Sequence, residues 1–130
     1  MNKGLKTALV TLAAVLAWSS SAYAGCNNPQ FGGIWDLQFS DGNSCRLLVD
    51  RDGGVIAEES VCYDPFVGAT APDSGVLTVG EDCSIAGNIV VQGLTVELEA
   101  QIGTTRGIAA GRFIVPAYWI KGAITMIRVQ

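Results

Sequence analysis

The sequence predicts an all-β protein: one disulfide-bonded domain of eight antiparallel strands, built as an up-and-down barrel or a barrel-like sandwich. Three observations favour this fold class. Apolar and polar residues alternate over Leu94–Ile102, as in a strand with one face in a core and one in water. Fifteen of the 16 glycines lie after residue 24, dispersed among β-branched residues, as tight turns and bulges require. No ten-residue stretch has helical periodicity, so crossover helices and parallel pairing are not expected.

Each strand of the predicted barrel is an alternating run bounded by turn signals. Ser40–Asn43 is one such turn, and the dipeptide Asp52-Gly53 favours a tight hairpin. The longest irregular stretch is Tyr63–Ser74, which contains two prolines. The predicted strands are Ile34–Phe39, Cys45–Asp50, Val55–Val61, Val76–Val79, Ser84–Gln92, Leu94–Ile102, Arg106–Val115 and Tyr118–Val129. An eight-stranded barrel is either filled by side chains or holds one small ligand.

The first 24 residues have the pattern of a cleaved signal peptide. Lys3 and Lys6 precede the apolar run Thr7–Trp18, and Ala22–Ala24 forms an A-x-A cleavage site. The run is shorter than the roughly 20 apolar residues of a membrane span. We therefore expect an exported protein, periplasmic or extracellular, whose mature form is a single domain over residues 25–130 without a membrane span. Lipidation of Cys26 after a lipoprotein signal is the alternative.

The charge of the sequence argues against nucleic acid as a partner. The formal net charge is −4, and removing Lys3 and Lys6 with the signal peptide lowers it to −6. Phosphate binding needs a patch or stripe of Lys and Arg, and the mature sequence has none. An anionic membrane surface is disfavoured for the same reason.

The four cysteines are expected to form two structural disulfides, because they are an even set in an exported chain. They are Cys26, Cys45, Cys62 and Cys83. Three connectivities are open, and the sequence does not distinguish them; our preferred pairing is Cys26–Cys45 with Cys62–Cys83. The sequence has no histidine and no C-x-x-C, so neither a zinc site nor a redox pair is expected.

The sequence offers little for catalysis, and we expect neither an enzyme nor a cofactor. Without histidine there is no Ser-His-Asp or Cys-His site, and paired cysteines supply no free thiol. Glu97 and Glu99 fall on the solvent face of their predicted strand, and most aspartates lie in turns, where they bond their own backbone. No catalytic and no metal-binding residue is predicted.

Aromatic residues outside the predicted core are the candidates for binding, because they supply large contact areas at low entropy cost. Two groups qualify: Tyr63 and Phe66 in the long loop, and Tyr118 and Trp119 after Pro116. If both groups lie at one end of the barrel, they line a pocket or a protein contact. The alternative is that Phe66 and Trp119 cover the ends of the core.

The segment Gly33–Trp35, ahead of the predicted meander, resembles the G-x-W opening of calycin-type barrels such as lipocalins and avidins. In that family the tryptophan closes one barrel end, which implies this role for Trp35. The N-terminal quarter of the mature chain is most similar to bacterial periplasmic metalloprotease inhibitors of the Inh type, through Gly33–Leu37, Cys45–Leu47 and Cys62. This resemblance implies an eight-stranded barrel whose N-terminal trunk, here Gly25–Gln30, enters a protease cleft. The chain departs from that pattern in having two further cysteines.

Two functions of different classes follow from these observations. The first is a non-enzymatic exported binding module for a protein partner or a small apolar ligand, with protease inhibition as its most concrete form. The second is a structural or assembly subunit of a cell-surface or extracellular β-rich filament or matrix, since aliphatic strands can self-associate edge to edge. A hollow, open barrel end would favour a small ligand, whereas a filled barrel would move function to loops, termini or edges.

Overall fold

A computed structural model describes residues 25–130. Nine β-strands, paired antiparallel throughout, form one curled sheet with the shape of a half-barrel, in the order β4-β3-β2-β1-β9-β8-β7-β6-β5. The strands are β1 (Gly33–Phe39), β2 (Ser44–Val49), β3 (Val61–Asp64), β4 (Gly68–Thr70), β5 (Ser74–Val79), β6 (Ser84–Val91), β7 (Leu94–Ile102), β8 (Ile108–Val115) and β9 (Ile120–Arg128). A four-residue helix, α1 (Asn28–Phe31), precedes them, and short 3-10 helices span Ala57–Glu59 and Pro116–Tyr118.

The predicted all-β antiparallel class is confirmed for residues 25–130, which are the ones described. The predicted signal peptide, residues 1–24, lies outside them. Over residues 25–130, no helix is both long enough and apolar enough to cross a membrane.

The structure has nine strands where the sequence predicts eight, and the difference lies between Val55 and Ser74. Instead of one strand over Val55–Val61, the chain makes an isolated bridge at Val55, a 3-10 helix, and then β3. The buried hydroxyl of Ser60 explains this break, because it donates to the Ile56 carbonyl (2.7 Å) and accepts from the Leu48 N–H (3.0 Å) in place of strand pairing. The stretch Tyr63–Ser74, expected to be irregular, contains the end of β3 and all of β4.

The predicted alternation of buried and exposed residues is confirmed in the long strands. In β7, whose bounds match the prediction, Leu98, Ala100 and Ile102 are buried while Glu97 and Glu99 are exposed. β1 buries its three inward residues in the same way. The inner face of the curled sheet therefore carries the core.

Trp35 fills one end of the curled sheet, which we call the closed end. Its side chain is fully buried, its ring stacks on Phe31 at 4.5 Å between centroids, and its Nε1 donates to the Phe31 carbonyl (2.7 Å). The Arg128 guanidinium lies over the indole, 4.9 Å from the ring centroid. The same guanidinium donates to the carbonyls of Gln30 (2.6 Å) and Gly32 (3.3 Å). These contacts attach α1 and its flanking residues to the last strand.

The outer edge of β5 is also covered at the closed end. The backbone of residues 53–55 forms two hydrogen bonds with β5, of 2.8 and 2.9 Å. The Asn28 amide then takes the next two backbone groups: it donates to the Leu77 carbonyl (2.7 Å) and accepts from the Val79 N–H (3.0 Å). Gly53 has φ +94°, and a Cβ at this position would collide with the Leu77 carbonyl oxygen, so glycine is required for the approach.

The two disulfides are Cys26–Cys83 and Cys45–Cys62, with Cα separations of 5.0 and 4.0 Å. The preferred pairing, Cys26–Cys45 with Cys62–Cys83, is therefore wrong. Cys45 and Cys62 are directly opposite each other on β2 and β3 with inward side chains, which puts their sulfurs together. Cys83, in the turn after β5, lies next to the N-terminal segment that β5 itself binds. Since the Cys26 sulfur is in this bridge, it cannot also carry a lipid.

Peptide mapping of the unreduced protein tests the connectivity. Trypsin places Cys26 and Cys45 in peptide 25–46, and Cys62 and Cys83 in peptide 52–106. The observed bridges hold these two peptides together until reductant is added, whereas the preferred sequence pairing would release them separately. Further cleavage with chymotrypsin, after Phe39 and Tyr63, separates the cysteines within each peptide. The masses then distinguish the observed pairing from the third connectivity, which would contradict it.

We expect Arg128→Met to destabilise the protein, because the variant keeps the aliphatic stem but loses two charge-assisted hydrogen bonds and the contact with Trp35. The loss in free energy of unfolding should be about 1.5–3 kcal/mol, measured by urea denaturation. Arg112→Met is the matched control, since this strand arginine only pairs with Glu99 across the exposed surface (2.7 Å). Exposed pairs contribute little, so equal losses in the two variants would contradict a structural role for Arg128.

Candidate functional site

A cavity of about 270 Å³ opens at the end of the curled sheet opposite Trp35. β1 runs from one end to the other, since Trp35 near its start lies at the closed end and Phe39 at its finish lines the cavity. The wall combines apolar side chains from five strands, β1 and β6 to β9, with the Cys45–Cys62 bridge. The apolar wall residues are Phe39, Ile89, Val91, Leu94, Val96, Phe113, Val115 and Ile120.

The cavity exists because the two edges of the sheet do not pair at this end. β4 pairs only with β3, and β5 only with β6 apart from its bonds at the closed end. Residues 71–73 connect these two strands directly. Pro72, within this connection, has no backbone N–H and so cannot donate a hydrogen bond to a neighbouring strand. Burial along β7 decreases towards the open end. Leu98 is buried, whereas Leu94 and Val96, also on the inner face, are only partly buried. The core is thus filled at one end and hollow at the other.

One residue of each predicted aromatic group lines this cavity, and the other residue of each group does not. Tyr63 and Tyr118 both line it. Phe66 and Trp119 do not line it and are 97% and 79% exposed. The alternative that Phe66 and Trp119 cover the core is therefore wrong. Each instead lies in a loop that borders the mouth.

Local backbone chemistry fixes these two loops. The Asp64 carboxylate accepts from the N–H groups of Phe66 (2.7 Å) and Val67 (3.1 Å), an Asx turn that projects Phe66 outward. On the other side, Pro116 starts a 3-10 helix, and Trp119 ends it with a left-handed φ of +55°. Both arrangements use hydrogen bonds within the loop, so the exposed rings are presented by ordered turns.

The polar side chains that line the mouth include two carboxylates and an asparagine amide, beside the hydroxyl groups of serine, threonine and tyrosine and the amide of Gln92. Asp41 accepts from the Asn43 N–H and from Asn43 Nδ2, both at 3.0 Å. Asn43 Oδ1 is buried and has no hydrogen-bond partner among the described residues. Asp41, Asn43 and Asp64 all line the cavity, and its described lining includes no Lys or Arg.

Arg46, Arg106 and Arg112 all lie away from the cavity. Arg46 pairs with Asp36 on the outer face (2.7 Å), and these hydrogen bonds and the nearby positive charge lower the pKa of the Asp36 carboxyl. Arg112 pairs with its cross-strand neighbour Glu99 on the exposed surface. Arg106 donates to the Gly25 carbonyl (3.4 Å) and to Gln30 Oε1 (3.3 Å) at the closed end.

Sequence reasoning missed the polar residues of the mouth. The sequence pattern places Asp41 and Asn43 in the turn Ser40–Asn43 and Asp64 in the irregular stretch Tyr63–Ser74, and it predicts no functional role for them. Each lies in a connection next to a strand end, and an up-and-down topology sends alternate connections to the same end of a sheet. That alternation is the signal that could have grouped them with Tyr63 and Tyr118. Over residues 25–130, no group of three or more Cys, Asp or Glu residues is placed to hold a metal ion.

Comparison of the chain with family models, with curated proteins and with solved structures finds no match. Function is therefore inferred from the cavity and the residues around it.

Proposed function

We propose that the protein is an exported, non-enzymatic binding module that holds a small apolar ligand at the open end of the sheet. The observation that carries this proposal is the cavity itself, lined by inward apolar side chains and bordered by two ordered aromatic loops. A ligand in this position removes apolar surface from water, which is the main driving force for such binding. Export is supported by the signal-peptide pattern and by the two disulfides.

The volume of the cavity limits the size of the ligand. About 270 Å³ is the space of roughly nine water molecules at ~30 Å³ each. This fits a molecule of about a dozen non-hydrogen atoms, and the volume is just below the usual range of about 300–1,000 Å³ for ligand pockets. A folded protein domain cannot enter, although the exposed rings of Phe66 and Trp119 can contact a partner beside the mouth.

The same proposal includes the fold: we propose that the curled sheet is a closed barrel of the calycin type. The full burial of Trp35 at the closed end, where its Nε1 donates to the Phe31 carbonyl of α1, supports the barrel-closing role that the G-x-W resemblance implies. The isolated bridges Val49–Val55 and Gly54–Val76 connect β2 with β5 there and support closure of the sheet at that end. Ligand sites occur in the mouths of β-barrels, which is the position of this cavity.

Protease inhibition through an N-terminal trunk has less support. The segment Gly25–Gln30 is fixed to the sheet, because Cys26 is buried and bridged to Cys83 and the Asn28 amide binds β5. A trunk that enters a protease cleft must extend away from the barrel. The assembly alternative also has little support, since β4 offers a three-residue edge and the edge of β5 is largely covered.

Binding of 1-octanol, a neutral apolar molecule small enough for the cavity, tests the proposed function. We expect ¹⁵N chemical shifts of cavity residues such as Val91 and Val96 to move on titration, while those at the closed end stay unchanged. Leu94→Trp should fill the mouth and weaken binding at least about tenfold, because a larger inner-face side chain occupies the ligand's volume.

Thr95→Trp is the matched control for this titration. It adds the same side chain at the next position of β7, on the outer, exposed face, and should leave binding unchanged. Shifts that spread over the outer face, or equal binding by both variants, would contradict a ligand in the cavity.

A further inference from the structure

We infer that the ligand of this cavity is a cationic amphiphile: its apolar body lies in the hollow and its ammonium-type head group lies at the mouth. This inference rests on the proposed function, because it assigns a chemical class to the occupant of the same cavity. It is carried by the charge and hydrogen-bonding chemistry of the mouth.

The first observation is uncompensated negative charge. Asp41 and Asp64 line the cavity, and the hydrogen bonds recorded for their carboxylates come from uncharged N–H groups of their own turns. The ion pairs found in residues 25–130 are Asp36–Arg46 and Glu99–Arg112, and both lie on the outer face. A carboxylate bound only to neutral donors keeps its full negative charge. The mouth therefore attracts a cation and repels an anion.

The second observation is the buried oxygen of Asn43. Asn43 Oδ1 has no partner among the described residues, although its amide nitrogen is fixed by Asp41 (3.0 Å). A buried acceptor without a donor is costly, and such groups in native proteins are usually satisfied by solvent or a ligand. This oxygen is buried, so a ligand reaches it only when side chains at the mouth move on binding; a primary ammonium then has three N–H donors to share between this oxygen and a carboxylate.

The third observation is the position of the two tyrosines. Tyr63, near the end of β3, and Tyr118, in the 3-10 helix after β8, line the same opening and are 52% and 64% exposed, so their rings are accessible at the mouth. Aromatic faces attract cations, and organic ammonium groups are commonly bound between such rings and carboxylates. The negative net charge of the chain also attracts cations at longer range.

Three ligands with one apolar chain and different head groups test the inference: octylammonium, 1-octanol and octanoate. Each is titrated into the ¹⁵N-labelled protein at pH 7 and low ionic strength. We expect octylammonium to bind about three- to tenfold more tightly than 1-octanol, and octanoate more weakly than both. Added salt should reduce the advantage of octylammonium without weakening octanol, since screening acts only on the charged head.

Asp64→Asn is the informative variant, because the amide oxygen of asparagine can keep accepting from Phe66 and Val67 and so preserve the turn. We expect it to weaken octylammonium binding about two- to fivefold and to leave 1-octanol unchanged. Asp52→Asn is the matched control: it removes the same charge from an exposed turn at the closed end and should have no effect on either ligand. The double variant Asp41→Asn/Asp64→Asn should abolish the preference for the cation.

The outcomes separate this inference from the proposed function. If the three ligands bind equally, or octanoate binds best, a cationic head group is excluded while an apolar cavity ligand remains. If Asp52→Asn weakens octylammonium as much as Asp64→Asn does, the attraction comes from overall charge and the mouth site is overturned. If none of the three ligands shifts the cavity residues, the proposed function fails as well.

Discussion

The covered edge of β5 is the constraint on which the rest of the structure depends. An open sheet of this length has two edges, and here the edge of β5 is satisfied by groups from distant parts of the chain: the backbone of residues 53–55 and the Asn28 amide. Because these bonds join β5 to the β2–β3 connection, the sheet must curl. The Cys26–Cys83 bridge then fixes the N-terminal segment beside the same strand. Curling at one end is what encloses Trp35.

The cavity is the other consequence of this one-sided closure. A twisted sheet that is drawn together at one end diverges at the other unless its edges can pair there. They cannot, because β4 is short and Pro72 interrupts the chain between the two edges. The Cys45–Cys62 bridge holds β3 against β2 at the wall of the opening, so the mouth keeps its shape although its far edge is unpaired. The filled and hollow ends therefore have one cause.

Local patterns predict those parts of the structure that depend on neighbouring residues. Leu94–Ile102 is a strand with the predicted bounds because burial of one face imposes a period of two. The prediction of a strand over Val55–Val61 is wrong, because the buried hydroxyl of Ser60 bonds the backbone groups of Ile56 and Leu48 in place of strand pairing. The alternation of polar and apolar residues does not show that a side chain competes for these bonds. Helix α1 has a local signal in Asn27 and Pro29, but four residues are too few for a periodic pattern to show.

The disulfide pairing and the cavity could not be predicted, because both depend on which distant segments meet. Cys83 joins Cys26 across 57 residues only because β5 and the N-terminal segment share an edge. The residues that surround the mouth could be predicted, because the up-and-down topology alone determines which connections lie at the same end of the sheet. Consecutive connections of an up-and-down sheet alternate between its ends. With the predicted eight strands, the connection after Phe39, the stretch after Tyr63 and the loop at Pro116 are the first, third and seventh connections, so they belong to the same end. The predicted topology thus suffices to bring Asp41 and Tyr118 together, whereas the empty space between them requires the structure.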